Sequence, residues 1–262
     1  MAHGVMPMRL ASHLLPLSLV ALASAAAAQT SATALAAEGI AALGAGPTAG
    51  YVARGTATMA LGSGGATGAI TVAAWGASHC RITFAVGAAG TGGEYTAVAN
   101  GTRWRVSAPG DLGSLPPPLG PDVGCALLPQ GLLLAELSSG AAAAAAGALS
   151  DQLVLFRPQP GQAQPPRPLA LDLDPASGLP QRVSWTLHFA GRAAQAVSVA
   201  YSDFRSANGV SYPATVVESV GGAPVWTVHF DAFAARGDFS DADFAVPAPR
   251  RPAALRRRGG GQ

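Results

Sequence analysis

The sequence predicts an α+β fold: a mostly antiparallel sheet with one leading helix and a helical insertion near the middle of the chain. Three observations point to it. Apolar residues recur with period two through most of the sequence, as in Cys80, Ile82, Phe84 and Val86. Both asparagines, Asn100 and Asn208, are followed by glycine, the strongest short signal for a two-residue hairpin turn. Helical spacing is confined to one segment near the start and to a leucine- and alanine-rich stretch around residues 127–146.

Composition narrows the class further. The chain has 262 residues, 49% of them hydrophobic and 11% charged, which argues against a disordered chain and provides for a sizeable core. All 16 basic residues are arginine, and isoleucine and asparagine are nearly absent, a bias expected of a GC-rich bacterial genome. The net charge of +2 excludes a strongly basic nucleic-acid binder, so no nucleic acid is expected as a partner.

The chain is expected to divide into a signal peptide over 1–28, a single domain over 29–249 and a disordered Arg/Gly-rich tail over 250–262. Arg9 supplies the positive n-region, Leu14, Leu15, Leu17, Leu19, Val20 and Leu22 the apolar core, and Ala26-Ala27-Ala28 before Gln29 the cleavage site. The apolar run is too short for a membrane span, and no cysteine follows it for acylation. Cleavage after Ala28 would leave a soluble protein, periplasmic or secreted.

Within the domain, Thr33 to Leu43 reads as a short helix, with Leu35, Ala36, Ile40 and Leu43 on one face and Gly44 just past its end. Gly46-Pro47 breaks it. From Tyr51 to Val106 the period is two: Ile70, Val72 and Ala74 alternate with polar or small residues, as do Cys80 to Val86. Taking Asn100-Gly101 as a two-residue loop pairs Ala97 with Trp104 and Tyr95 with Val106 on an apolar face. The second turn, Asn208-Gly209, joins 196–206 to 210–218 and sets Phe204 opposite Pro213, whose place in a strand points to an edge or a bulge. Between them the pattern fails. Pro116-Pro117-Pro118 marks a loop, Leu127 to Leu137 and the run Ala141–Ala146 predict one or two short helices, and 157–167 is Pro/Gln-rich and loop-like. Leu169 to Asp174 and Leu179 to Phe189 read as strands around the turn Pro175-Ala176-Ser177-Gly178, and Val225 to Phe230 as the last strong strand.

Catalytic templates are missing. There is no H-E-x-x-H, Walker loop or C-x-x-C, and Gly76-Ala77-Ser78-His79-Cys80 starts like a nucleophile elbow but lacks the closing glycine. His229 and Asp231 share a strand face without an evident third ligand. Asp238, Asp241 and Asp243 lack the spacing of a calcium loop. His79 next to Cys80 has no second cluster to make a zinc site. The expectation is a protein that is not an enzyme and holds no metal or cofactor. Cys80 and Cys125 are the only cysteines; in an oxidising compartment they are expected to pair, worth about 4 kcal/mol, the alternative being two buried thiols.

The order of several motifs resembles one family. Val197-Ser198-Val199-Ala200-Tyr201-Ser202-Asp203-Phe204-Arg205, then Asn208-Gly209-Val210, Tyr212-Pro213 and Asp241-Ala242-Asp243-Phe244-Ala245-Val246-Pro247 resemble the C-terminal half of the LolA/LolB-like outer-membrane lipoprotein carriers. Asp174 to Pro180 resembles their hairpin, and Glu94 to Val106, with Trp104, their strand–turn–strand. The resemblance covers about 45 to 247. It implies an incomplete antiparallel β-barrel, a curved sheet with an N-terminal helix and a short helical lid, enclosing an apolar cavity for a lipid or lipoprotein acyl chain. It also implies an arginine on an early strand that holds the lid; Arg54 and Arg81 are both candidates. Phe84, Tyr95, Trp104, Trp185, Leu187, Val199 and Tyr201 sit on the apolar parity of their strands and are expected to wall that cavity. Expected partners are the apolar ligand, outer-membrane components and, through the tail that carries Arg250 to Arg258, weak contact with anionic membrane. The competing reading is a secreted β-rich envelope scaffold or assembly protein with no small-molecule ligand.

Overall fold

The protein is described by a computed structural model over residues 34–44, 50–61, 64–76, 79–87, 93–100, 103–107, 125–131, 152–157, 167–188 and 193–246. The signal peptide and the arginine-rich tail lie outside these residues.

Helix α1 covers residues 34–43. It buries Ala36 and Leu43 and rests Leu35 and Ile40 against the same core. It stops at Gly44, which adopts φ 63° and donates its N–H to the Ala41 carbonyl at 3.0 Å. A Cβ at Gly44 would run into the carbonyl oxygen of Gly209, so glycine both ends the helix and lets it seat on a hairpin turn.

Eleven strands follow: β1 (Gly50–Leu61), β2 (Gly64–Trp75), β3 (His79–Val86), β4 (Glu94–Asn100), β5 (Arg103–Ser107), β6 (Gln152–Arg157), β7 (Arg167–Leu173), β8 (Pro180–Leu187), β9 (Gln195–Ala207), β10 (Val210–Val220) and β11 (Ala223–Arg236). They form one antiparallel sheet in the order β5-β4-β3-β2-β1-β11-β10-β9-β8-β7-β6. Two meanders are thus joined along β1 and β11, with Gly50 opposite Arg236 and Met59 opposite Trp226. Strands β5 and β6 are consecutive in the chain yet lie at opposite edges, so residues 108–151 must connect one edge to the other.

The period-two pattern becomes one buried face. Tyr51, Ala53, Ala57 and Met59 of β1, Ile70, Val72 and Ala74 of β2, Cys80, Ile82 and Phe84 of β3, and Val228 and Phe230 of β11 all join a single core. That face is concave. In a flat sheet β3 and β11 would stand about 14 Å apart and β4 and β11 about 19 Å. Yet the Phe84 ring of β3 meets the Trp226 ring of β11 edge to face at 5.0 Å, and Tyr95 of β4 lies 6.3 Å from the same indole. Only a strongly curled sheet brings these rings together. The result is an incomplete barrel, with β5 and β6 as its edges among the described residues.

Turn chemistry accounts for most of the register. Asn208 and Gly209 both have positive φ, 52° and 79°, and Ala207 pairs with Val210, as a type I′ turn requires. Phe204 stands opposite Pro213 as expected, and the pairing of β10 with β11 begins only at Thr215. Pro213 therefore sits where β10 has no ladder partner on that side, and its missing N–H costs nothing. The first hairpin differs from expectation. Asn100 pairs with Arg103, Ala99 with Trp104 and Ala97 with Val106, so the loop is Gly101-Thr102 and the register is displaced by two residues. Because side chains alternate with period two, the face assignment of every residue survives the displacement.

Strand β6 has no counterpart in the sequence-based expectation, which placed no strand between Leu149 and Leu169. The last strand also runs six residues beyond Phe230, to Arg236, with a bulge: Arg54 pairs with Ala232 and Gly55 with Phe230, which leaves Asp231 as the extra residue. After β11 the chain folds back over the outward face of β2–β4. Phe244, fully buried at the end of the 3₁₀ turn Asp241–Phe244, stacks on Trp75 at 6.2 Å and meets His79 edge-on at 5.4 Å. His79 Nε2 lies 3.3 Å from the Asp241 carboxylate, and Asn100 Nδ2 donates to the Phe244 carbonyl at 3.4 Å.

Candidate functional site

The concave face is closed from within by part of the long connection. Cys125–Leu127 form a 3₁₀ turn, and residues 129–131 carry helical backbone. Pro129 stands at the start of that helical stretch, where its missing N–H is no loss. Ala126, Leu127, Leu128 and Gln130 are at most 1% exposed, so this segment is inserted into the core. Two side-chain hydrogen bonds tie it to the sheet. The Tyr201 hydroxyl on β9 donates to the Ala126 carbonyl, and Gln130 Nε2 donates to the Ser211 carbonyl at 2.8 Å. Burial pushes the Tyr201 hydroxyl pKa well above its ordinary value, so it remains a donor. The segment thus runs along β9 and β10 as an apolar plug held by few polar ties.

Of the seven residues expected to wall a cavity, five share the buried face. Phe84, Tyr95, Trp185, Val199 and Tyr201 are buried in one core, and Leu187 is partly buried against it. Trp104 stands opposite Ala99 in β5; its side chain lies outside the described residues. Cys80 is buried on the same face of β3, and Cys125 opens the plug; the Cys125 side chain is likewise outside the described residues. The arginine expected to hold the lid is a correction. Arg54 lies exposed between buried Ala53 and Gly55, opposite Thr71, and Arg81 alternates with buried Cys80 and Ile82. Strand parity turns both away from the concave face, and the plug is tied instead by Tyr201 and Gln130.

The interior also holds a charge-bearing group. Glu218 of β10 is 0% exposed, and neither carboxylate oxygen has a hydrogen-bond partner. Burial pushes its pKa up to about 8. It pairs across the ladder with Trp226 on one side and Val199 on the other, and the buried Trp226 Nε1 also lacks a partner. Tyr95 is close enough that burial first, and the Glu218 charge second, raise its hydroxyl pKa. Sequence reasoning passed over Glu218 for want of a second carboxylate. The available signal was its parity: with Val216 it lies on the buried side of its strand.

The polar clusters singled out in the sequence lie elsewhere. Asp238 is held by Arg236, with Nε at 2.6 Å; Asp243 accepts from the Ser240 N–H and hydroxyl, both at 2.9 Å; Asp241 faces His79. His229 and Asp231 are exposed, His229 Nδ1 lying 3.2 Å from the Thr215 hydroxyl, which donates to Asp203 at 2.7 Å. Among the described residues no three His, Cys, Asp or Glu side chains gather as a metal site. A cleft of about 690 Å³ lies over β7–β9; the polar side chains Arg182, Ser184, Thr186, His188 and Ser198 line it, together with Trp185 and Val197 of the buried parity. No helix among the described residues is long and apolar enough to cross a membrane.

No family model and no curated protein matches the sequence. Several solved structures are similar to this chain, three of them as follows. One is a LolA superfamily protein from Nitrosomonas europaea, 13% identical over 82% of this chain and 97% of that one, with a TM-score of 0.48. Another, from Vibrio parahaemolyticus, is described as an outer membrane lipoprotein-sorting protein domain, 11% identical over 82% and 97%, with a TM-score of 0.44. The third is a DUF1329 family protein from Desulfovibrio piger, 10% identical over 83% and 97%, with a TM-score of 0.43.

Proposed function

We propose that the protein is an exported binder of a hydrophobic ligand, a lipid or lipoprotein acyl chain, which occupies the concave face in place of the 125–131 plug. The observation that carries this reading is the plug itself. Leu127 and Leu128 fill an apolar interior, and among the described residues Tyr201 and Gln130 give it side-chain hydrogen bonds to the sheet. A ligand chain can replace two leucines at small polar cost. Each buried methylene gains about 0.8 kcal/mol, so a 16-carbon chain gains about 12 kcal/mol gross. Association consumes about 4–15 kcal/mol of that, so useful affinity needs an enclosed site rather than a shallow groove. Phe84, Tyr95, Trp104, Trp185, Leu187, Val199 and Tyr201 are the proposed wall.

Export to the periplasm follows from the leader reading and suits such a role. The opposing reading, an envelope scaffold without a small ligand, draws on the complete burial of Phe84 and Trp226, which leaves that end of the interior packed. Extraction of lipid from the purified protein, and titration with a fluorescent fatty acid, separate the two. A co-purifying lipid and saturable one-to-one binding are expected. No extracted lipid and no binding would assign the concave face to a solid core.

A further inference from the structure

An apolar ligand has a polar end, and the interior holds buried polar atoms that could receive it. Glu218 carries two buried acceptor oxygens with no donor, and the Trp226 indole N–H opposite it is a buried donor with no acceptor. Orphaned buried polar atoms are rare and costly, and a carboxyl group more so than most. Among the described side chains no arginine answers it: Arg54, Arg182, Arg205 and Arg236 are exposed, and Arg81 has the outward parity of β3. On the β11 side of Glu218 stand aromatic rings. Trp226 is its ladder partner, Phe84 packs on that indole at 5.0 Å, and Tyr95 lies 6.3 Å away from it. Ring faces attract cations, most strongly when both are out of water, and a carboxylate supplies the counter-charge.

We propose that Glu218, Trp226, Phe84 and Tyr95 form a head-group site for an aliphatic ligand bearing an ammonium group. The inference rests on the hydrophobic-ligand reading above and adds the chemistry of the ligand's polar end. The ammonium donates to the Glu218 oxygens and sits against the rings. The aliphatic part runs past Val199, the other ladder neighbour of Glu218, toward Tyr201 and the space that Leu127 and Leu128 fill. Where Glu218 is ionised, a carboxylate head would instead set two like charges side by side, which the site disfavours.

The test uses the full mature chain, stripped of lipid, with dodecylamine and dodecanoic acid titrated calorimetrically at pH 9, where Glu218 is ionised and the amine still carries its proton. Dodecylamine is expected to bind at least about tenfold tighter. Glu218→Gln is expected to abolish that preference while leaving dodecanoic acid binding intact. Equal affinities in the wild type, or an unchanged preference in Glu218→Gln, would overturn the head-group site and leave the hydrophobic-ligand reading standing. Failure of both probes to bind would overturn both. The wild-type comparison decides the matter by itself if the variant does not fold.

Discussion

Replacing Glu218 by glutamine should stabilise this protein, and by an amount that depends on pH. The carboxyl is fully buried and unpartnered, so folding raises its pKa from the ordinary 4.5 to about 8. A raised carboxyl pKa means that the folded state holds a proton which the unfolded chain releases. Stability is therefore greatest below pH 4.5, falls as pH rises from 4.5 to about 8, and is level above that. At about 1.36 kcal/mol per pH unit, the full loss is at most about 5 kcal/mol. Glutamine has nearly the same shape and cannot ionise, so Glu218→Gln should match the wild type near pH 4 and exceed it most at pH 9. For a domain of this size each kcal/mol moves Tm by about 2–4 °C, so a gain of at least several degrees is expected at pH 9. Denaturant unfolding of both proteins from pH 4 to 9 checks this. A difference between them that stays constant with pH would refute the reasoning, because it would mean that folding leaves the Glu218 pKa unchanged.

Three further outcomes follow from the same packing. Thiol titration of the unfolded, unreduced protein should find no free thiol if Cys80 is bonded to Cys125, and two free thiols would rule the bond out. Phe244→Ala should cost about 3–5 kcal/mol, measured by denaturant unfolding, because Phe244 is completely buried between Trp75, His79 and Phe239. Tyr201→Phe should cost about 0.5–1.5 kcal/mol and speed hydrogen exchange in 125–131, since it removes one of the two side-chain ties on the plug.

Where the sequence was legible, alternation made it so. Each of Phe84, Tyr95, Trp185, Val199 and Tyr201 was assigned to the buried face from parity alone, and each lies there. Parity also explains why the hairpin at Asn100 could be misregistered by two residues without misplacing a side chain, since the error equals one full repeat. At Asn208-Gly209 the same dipeptide set the register correctly, because both residues adopt the positive φ that the turn demands. Strand β6 was missed because Leu153 to Phe156 is a short unbroken apolar run, which strand and helix share. The curl of the sheet was not readable from residue periodicity at all. It depends on rings three and four strands apart meeting, a contact between positions more than 120 residues distant in the chain. Glu218 escaped notice for the opposite reason: a single acid carries no spacing, and only its place on an otherwise apolar strand face marked it.

The junction of β1 with β11 also governs when the sheet can form. Every other neighbouring pair in it is a hairpin between consecutive strands, able to close as soon as both arms exist. Strand β1 must wait for the last strand made, since Gly50 is opposite Arg236. Until then one side of β1 is an open edge, the concave face has half its wall, and the Trp226 ring is absent from between Phe84 and Tyr95. A chain emerging N-terminus first, from a ribosome or a translocation pore, therefore cannot complete its core before nearly all of it has passed. Delayed closure would keep the polypeptide threadable in any such passage and leave its final shape to form once β11 has emerged.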